Sequence, residues 1–221
     1  FQNQFYFQGT AVVGIENKDM FFAKTDSDGN LIWIKSGIGS GDIYGSGIDL
    51  DSDGNIYLTG TFTGSIEIND ETFSGTGSDV FLIKFNNDGD YLWGKYFGGF
   101  QDDYSGDVKV DNDNNVIISA SYFNSMYFEE NTIMSNGGID FIIAKYDSDG
   151  NFIWVTDEGS NQNIYGERLA IDNNNNIYLT GKFSGTFNIG FSNISANGFV
   201  DVYLVKYDIN GNPIWLKSVG S

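Results

Sequence analysis

The chain has 221 residues, with thirty acidic side chains against eleven basic ones, a net charge of −19. Such a surface repels nucleic-acid phosphates and anionic lipid, so neither is expected as a partner. With no cysteine and no histidine, a disulfide framework, a thiolate metal site and any Ser-His-Asp or Cys-His catalytic set are excluded. The 40% apolar and 16% aromatic content excludes a disordered chain despite its many Asn, Asp and Gly residues.

From Phe1 the residues are already strand-like, without the charged start and apolar stretch of a signal peptide. The expectation is that an export signal was removed or that the residues come from something longer. No apolar run approaches the roughly 18–20 residues that cross a bilayer, so membrane insertion is not expected.

Along the chain one unit recurs. Trp33, Trp93, Trp154 and Trp215 are spaced by 60, 61 and 61 residues, and Lys24, Lys84, Lys145 and Lys206 keep step, as do Asp19, Asp79, Asp140 and Asp201. Units of approximately 1–55, 56–115, 116–176 and 177–221 follow, in one domain spanning 1–221. A first strand is predicted at Ile56–Gly60, echoed at Val116–Ala120, Ile177–Gly181 and loosely Phe5–Gly9. The second is predicted at Met20–Thr25, Val80–Phe85, Phe141–Tyr146 and Val202–Tyr207. The third carries the tryptophan, and the fourth runs near Gly47–Asp51, Asp107–Asp111 and Arg168–Asp172. Asp/Asn/Gly-rich turns between these β-branched and aromatic runs predict antiparallel hairpins. Matching apolar residues such as Ile66, Met126 and Phe187 add an extra hairpin to each unit except the first, where Gly9–Phe22 is too short. The expected fold is all-β: a propeller of about four 60-residue, four-stranded antiparallel blades, or a segment of a larger propeller.

Several positions are candidates for chemistry. Asp26, Asp28, Asp51, Asp53, Asp147 and Asp149 lie in Asp-x-Asp-Gly-Asn runs that resemble the start of a calcium loop. Calcium is therefore the one cofactor considered, but the closing Glu is missing and hairpin turn chemistry is the favoured reading. The repeated lysines are read as partners of carboxylates within each blade rather than as a ring for an anionic ligand. The tryptophans are read as packing between blades rather than as a carbohydrate-stacking surface. Asp42 with Tyr44, Asp102 with Tyr104, and Asn163 with Tyr165 recur in the loop after the third strand. They are equally a ligand-recognition pair on one rim and a loop brace. No catalytic residue is assigned.

The motifs D-x-F-L-x-K (Asp79–Lys84), D-G-x-x-x-W-x-K (Asp88–Lys95), G-G-x-x-x-D (Gly98–Asp102), V-D-x-x-x-N (Val110–Asn114) and Y-L-T-G (Tyr57–Gly60) occur in fixed order. In this combination the chain resembles the SBBP repeat family of bacterial β-propellers. That resemblance implies a propeller and a secreted or cell-surface protein, often large, without a defined reaction. The expected function is a non-catalytic module binding a protein or glycan through rim loops. A structural spacer in a surface assembly is the alternative, and a glycan-active enzyme the second. The chain is expected to belong to a longer polypeptide or an assembly.

Overall fold

The computed structural model describes residues 4–14 and 18–220, and among them there is no helix. Two short hairpins come first: β1 (Gln4–Phe7) with β2 (Thr10–Val13), then β3 (Phe21–Thr25) with β4 (Leu31–Ser36). Next come β5 (Ile38–Gly39), β6 (Ile43–Leu50), β7 (Ile56–Ile68), β8 (Glu71–Phe85) and β9 (Tyr91–Phe97). They are followed by β10 (Tyr104–Val110), β11 (Val116–Phe128), β12 (Asn131–Tyr146) and β13 (Phe152–Glu158). The last group is β14 (Arg168–Ile171), β15 (Ile177–Phe183), β16 (Thr186–Ile189), β17 (Ser192–Ser195), β18 (Asp201–Tyr207) and β19 (Pro213–Val219). Three meanders result, β6-β7-β8-β9, β10-β11-β12-β13 and β14-β15-β18-β19, with every pairing antiparallel. Each sheet begins with the strand that closes a sequence repeat, so the hydrogen-bonded unit is offset by one strand from the repeat unit.

The turns explain why these strands form where they do. In all seven, at Asp26, Asp51, Asn86, Asp111, Asp147, Asp172 and Asp208, side-chain Oδ1 accepts the backbone N–H two and four residues on. This is the Asx turn, in which a short side chain replaces a backbone acceptor. The fourth turn residue then has positive φ, met by glycine or asparagine: +79° at Gly89, +82° at Gly150, +60° at Asn175.

Two expectations are corrected. The first unit is not a four-stranded blade. β1 pairs with β2, because Gln8 (φ +47°) and Gly9 (φ +82°) form a two-residue turn that folds Phe5–Phe7 back on Thr10–Val12. Phe5 and Phe7 instead lie against Phe21, with ring centroids 4.8 and 6.4 Å away. Part of the shortened Gly9–Phe22 connection lies outside the described residues. The extra hairpin is also not a separate element in the middle units. β7–β8 and β11–β12 simply run on past irregularities near Gly64 and Asn124, whereas β16–β17 forms its own small sheet.

The sheets stack in chain order through a repeated contact. Lys84 and Trp93 are cross-strand partners, and Lys84 Nζ (2.8 Å) and Trp93 Nε1 (3.1 Å) both donate to the Ser148 carbonyl in the next sheet's turn. Lys24 Nζ (3.1 Å) and Trp33 Nε1 (3.4 Å) share the Asn87 carbonyl in the same way. A Cβ added to Gly150 would stand 2.9 Å from Trp93, and one at Gly211 3.0 Å from Trp154. The tryptophans are therefore inter-sheet packing. Behind them, Val80, Leu82, Phe141 and Ile143 are fully buried, while the matching Val202 and Leu204 of the last sheet are 55% and 40% exposed. Among the described residues, no strand pairing joins the last sheet to the first.

Three of the four repeated lysines also hold a carboxylate of their own sheet. Lys84 meets Asp51 at 3.4 Å, Lys145 meets Asp111 at 2.7 Å and Lys206 meets Asp172 at 3.5 Å. Burial works against ionisation of Asp111, but hydrogen bonds from Lys145 and Asn115 outweigh it and hold the carboxyl below the usual range.

Candidate functional site

The edge strands β6, β10 and β14 of successive sheets meet side by side. Asp49 Oδ2 accepts the Val110 N–H at 2.8 Å, and Asp107 Oδ2 accepts the Leu169 N–H at 3.2 Å, so carboxylates stitch one edge to the next. At the turn end, Asn114 Oδ1 accepts from Ser52 N–H and Asn175 Oδ1 from Asn112 N–H, both at 3.0 Å. The opposite end, where β6 and β10 begin, carries the recurring Asp/Asn-x-Tyr residues.

Those six residues separate into two roles. Asp42, Asp102 and Asn163 each use Oδ1 to accept a backbone N–H, from Lys18 (3.1 Å), Ser78 (3.2 Å) and Ile139 (2.9 Å) respectively. They brace their loops. Tyr44 is tied down as well, donating to Asp42 and accepting from Lys18. Tyr104 and Tyr165 instead face each other edge-on at 6.3 Å. Together they line a concavity of about 650 Å³ to which three consecutive sheets contribute.

Glu167, Arg168 and Lys182 complete that concavity. Lys182 Nζ lies 4.8 Å above the Tyr165 ring and 3.1 Å from Glu167, which neutralises it. Arg168, the only arginine in the chain, spends Nη1 on the carbonyls of Gly106 (3.3 Å) and Glu167 (3.5 Å). No carboxylate pairs with it among the described residues. The guanidinium thus keeps free N–H donors beside an exposed phenol ring. Sequence reasoning missed Arg168 and Lys182 because neither position repeats: Arg168 stands where the other sheets have Gly47 and Asp107. That break in the repeat was the available signal.

The calcium candidates sit in the turns. Oδ1 of Asp26, Asp51 and Asp147 is filled by two N–H donors, and Oδ2 accepts the amide of Asn30, Asn55 and Asn151. Asp28, Asp53 and Asp149 contribute the N–H groups of those same turns. Among the described residues, no three acidic side chains are grouped to hold a metal.

One acidic pair breaks the repeat elsewhere. Asp103 is fully buried where the other sheets have Ile43 and Ile164, and burial pushes its carboxyl up to about 8. Buried Asp79 is pushed up to about 6 by the same cause. Both carboxylates crowd Gly98, where an added Cβ would stand 1.7 Å from Asp79 Oδ1 and 2.9 Å from Asp103 Oδ2. Asp79 also borders a 730 Å³ concavity between hairpin tips, where Lys95 is held by Glu129 at 3.6 Å. That cavity has no unpaired cation, unlike the Arg168 site.

The geometry defines an all-β repeat protein of antiparallel meanders stacked through tryptophan, lysine and Asx turns. The model of the SBBP family, described as a beta-propeller repeat, matches residues 36–66 and 153–182 of the chain. The first match runs from the last residue of β4 through β5 and β6 into β7, and the second from the start of β13 through β14 into β15. An uncharacterized WD repeat-containing protein of Acanthamoeba polyphaga mimivirus is 28% identical over 176 residues. The similarity covers 63% of this chain and 12% of that protein, so the chain spans a small part of its curated relative. A crystal structure of a protein of unknown function from Bacteroides caccae shares 8% identity over 87% of each chain, with a TM-score of 0.32. At that score it carries no argument.

Proposed function

We propose that the chain is a β-propeller segment of about four repeat units, acting outside the cell or on its surface as a non-catalytic binding module. The partner, a protein or a glycan, docks at the concavity where the edge strands begin. The observation that carries this reading is the Arg168 guanidinium, paired with no carboxylate among the described residues, beside exposed Tyr104. Aromatic faces and a few unspent donors are what a recognition pocket needs. The SBBP resemblance supports the extracellular address, and open Val202 and Leu204 support further blades.

The structural-spacer reading is favoured by a different observation, the near identity of the turns in successive sheets. A glycan array and a pull-down with the whole chain separate the two. Capture of a partner that is lost at least about tenfold in a Tyr104→Ala/Arg168→Ala double variant is the expected result. No capture by the parent chain would leave the spacer.

A further inference from the structure

The concavity where the edge strands begin presents hydrogen-bond donors that the fold itself does not use, and their arrangement selects one kind of ligand. Arg168 Nη1 is held by the carbonyls of Gly106 in β10 and of adjacent Glu167. No other acceptor meets the guanidinium among the described residues. With that nitrogen held, the Nε–Nη2 edge remains. It carries two parallel N–H groups, the fork that a carboxylate accepts in bidentate fashion.

A second donor lies at the buried side of the same concavity. Ser121 is 2% exposed and its Oγ accepts the Gly166 N–H at 3.1 Å, while its own O–H meets no acceptor among the described residues. A buried donor left unmatched is uncommon, because nothing compensates its desolvation. A ligand oxygen would supply the missing acceptor.

The charges set the sign and size of the ligand's own. Glu167 neutralises Lys182 at 3.1 Å, and no carboxylate pairs with Arg168 among the described residues, so one positive charge is left over. A single negative charge matches it. A phosphate dianion or an extended polyanion would bring further charge into the field of a chain at −19. The walls then choose between a sugar and a peptide. Around the rings of Tyr104 and Tyr165 the lining has serines and glycines but no aliphatic side chain. The apolar neighbours of an acidic peptide residue would find no apolar wall, whereas the face of a pyranose stacks on tyrosine and its hydroxyls meet serine and backbone groups.

Resting on the docking proposed at this concavity, we infer that its ligand is a uronic acid unit in an otherwise neutral glycan. The sugar carboxylate pairs with the Nε–Nη2 edge of Arg168, the pyranose ring lies against Tyr104, and the Ser121 O–H donates to a sugar oxygen.

The test titrates the full chain, by calorimetry, with a disaccharide of glucuronic acid linked to xylose. Its control is the same disaccharide with the carboxyl reduced to the alcohol, a change that leaves the protein untouched. Saturable one-to-one binding of the acid is expected, about tenfold or more tighter than the reduced form, as a charge-assisted bidentate contact implies. Arg168→Lys keeps the charge without the fork, and should weaken the acid about fivefold while leaving the reduced form unchanged. Tyr104→Ala should weaken both disaccharides alike. Equal binding of the acid and reduced forms, lost in Tyr104→Ala, would overturn the carboxylate assignment and leave docking at the concavity standing. Equal binding of a disaccharide with a sulfate in place of the carboxylate would overturn the choice of anion. Binding of neither disaccharide would overturn the inference outright. Capture of a protein, lost in the Tyr104→Ala/Arg168→Ala variant, would in that case preserve the docking reading, and no capture would remove both.

Discussion

Gly29 and Gly150 offer a matched pair for measuring what the tryptophan contact contributes. Both are the fourth residue of an Asx turn and have nearly the same backbone, φ +84° and +82°. A Cβ on Gly29 meets nothing within 4 Å, whereas one on Gly150 stands 2.9 Å from the Trp93 ring. Changing either to alanine forces an L residue into the left-handed region, at a cost of about 1–2 kcal/mol. Gly150→Ala must also push the Trp93 indole off its seat, and overpacking of this kind costs about 1–3 kcal/mol more. Trp93 Nε1 would lose its bond to the Ser148 carbonyl in the same movement. Urea unfolding followed by tryptophan emission and by circular dichroism reads both variants. In thermal melts the difference should appear as a gap of about 2–12 °C, at roughly 2–4 °C per kcal/mol for a chain of this size. Equal destabilisation of the two variants would mean that the ring is not seated against the turn, and the stacking scheme would fall with it.

The other expectations concern charge. Lys145→Met strands the Asp111 carboxylate, whose side chain is 1% exposed, and should cost about 3–5 kcal/mol in urea unfolding; Lys24→Met, with no carboxylate to strand, should cost less than about 1 kcal/mol. Asp103, at about 8 in the folded chain against 3.8 ordinarily, binds its proton more tightly when folded. Its contribution is therefore present below pH 4 and is lost as pH rises towards 8. Melts across that range should show a decline that Asp103→Asn flattens, and an unchanged slope would refute the assignment. The turn aspartates act in the opposite limb: burial opposes ionisation of Asp51, but Asn55 outweighs it and keeps the carboxyl low, so acid should cost stability below pH 4. Because those oxygens already hold N–H donors, melting midpoints with calcium and with chelator should coincide; a rise with calcium would reopen the loops as metal sites.

Much of the fold was legible because the repeat is enforced by contacts that must be remade at every sheet. Trp93 must find a glycine turn 57 residues on at Gly150, and Lys145 must find Asp111 behind it. Residues under such constraints stay in register, and register is readable. The first unit was not legible, because Phe5–Phe7 has strand composition in either pairing and only the turn angles of Gln8 and Gly9 decide for β2. Asp103 was hidden inside an Asp-Asp-Tyr run whose middle position is an ordinary buried isoleucine in the other copies. Arg168 and Lys182 were hidden for the converse reason. A residue that does not repeat leaves no periodic signal, and only the juxtaposition of three edge strands shows what it adjoins.

That contrast separates stability from recognition within one unit. Turn and tryptophan positions are bound to a neighbour on each side, so substitution there propagates through the stack. The starts of the edge strands vary more: the chain has Ser46, Gly106 and Glu167 at one step and Gly47, Asp107 and Arg168 at the next, and of these side chains Asp107 is the one bound to the next edge, at Leu169. Arg168 is exposed and holds only two long contacts to carbonyls, at 3.3 and 3.5 Å. Arg168→Ala should therefore shift unfolding by no more than about 0.5 kcal/mol, as for a surface substitution, while removing the one unpaired cation from the pocket. If it instead destabilised the chain as strongly as Gly150→Ala, Arg168 would be a stacking residue like the tryptophans. The pocket would then have no chemistry of its own to offer a partner.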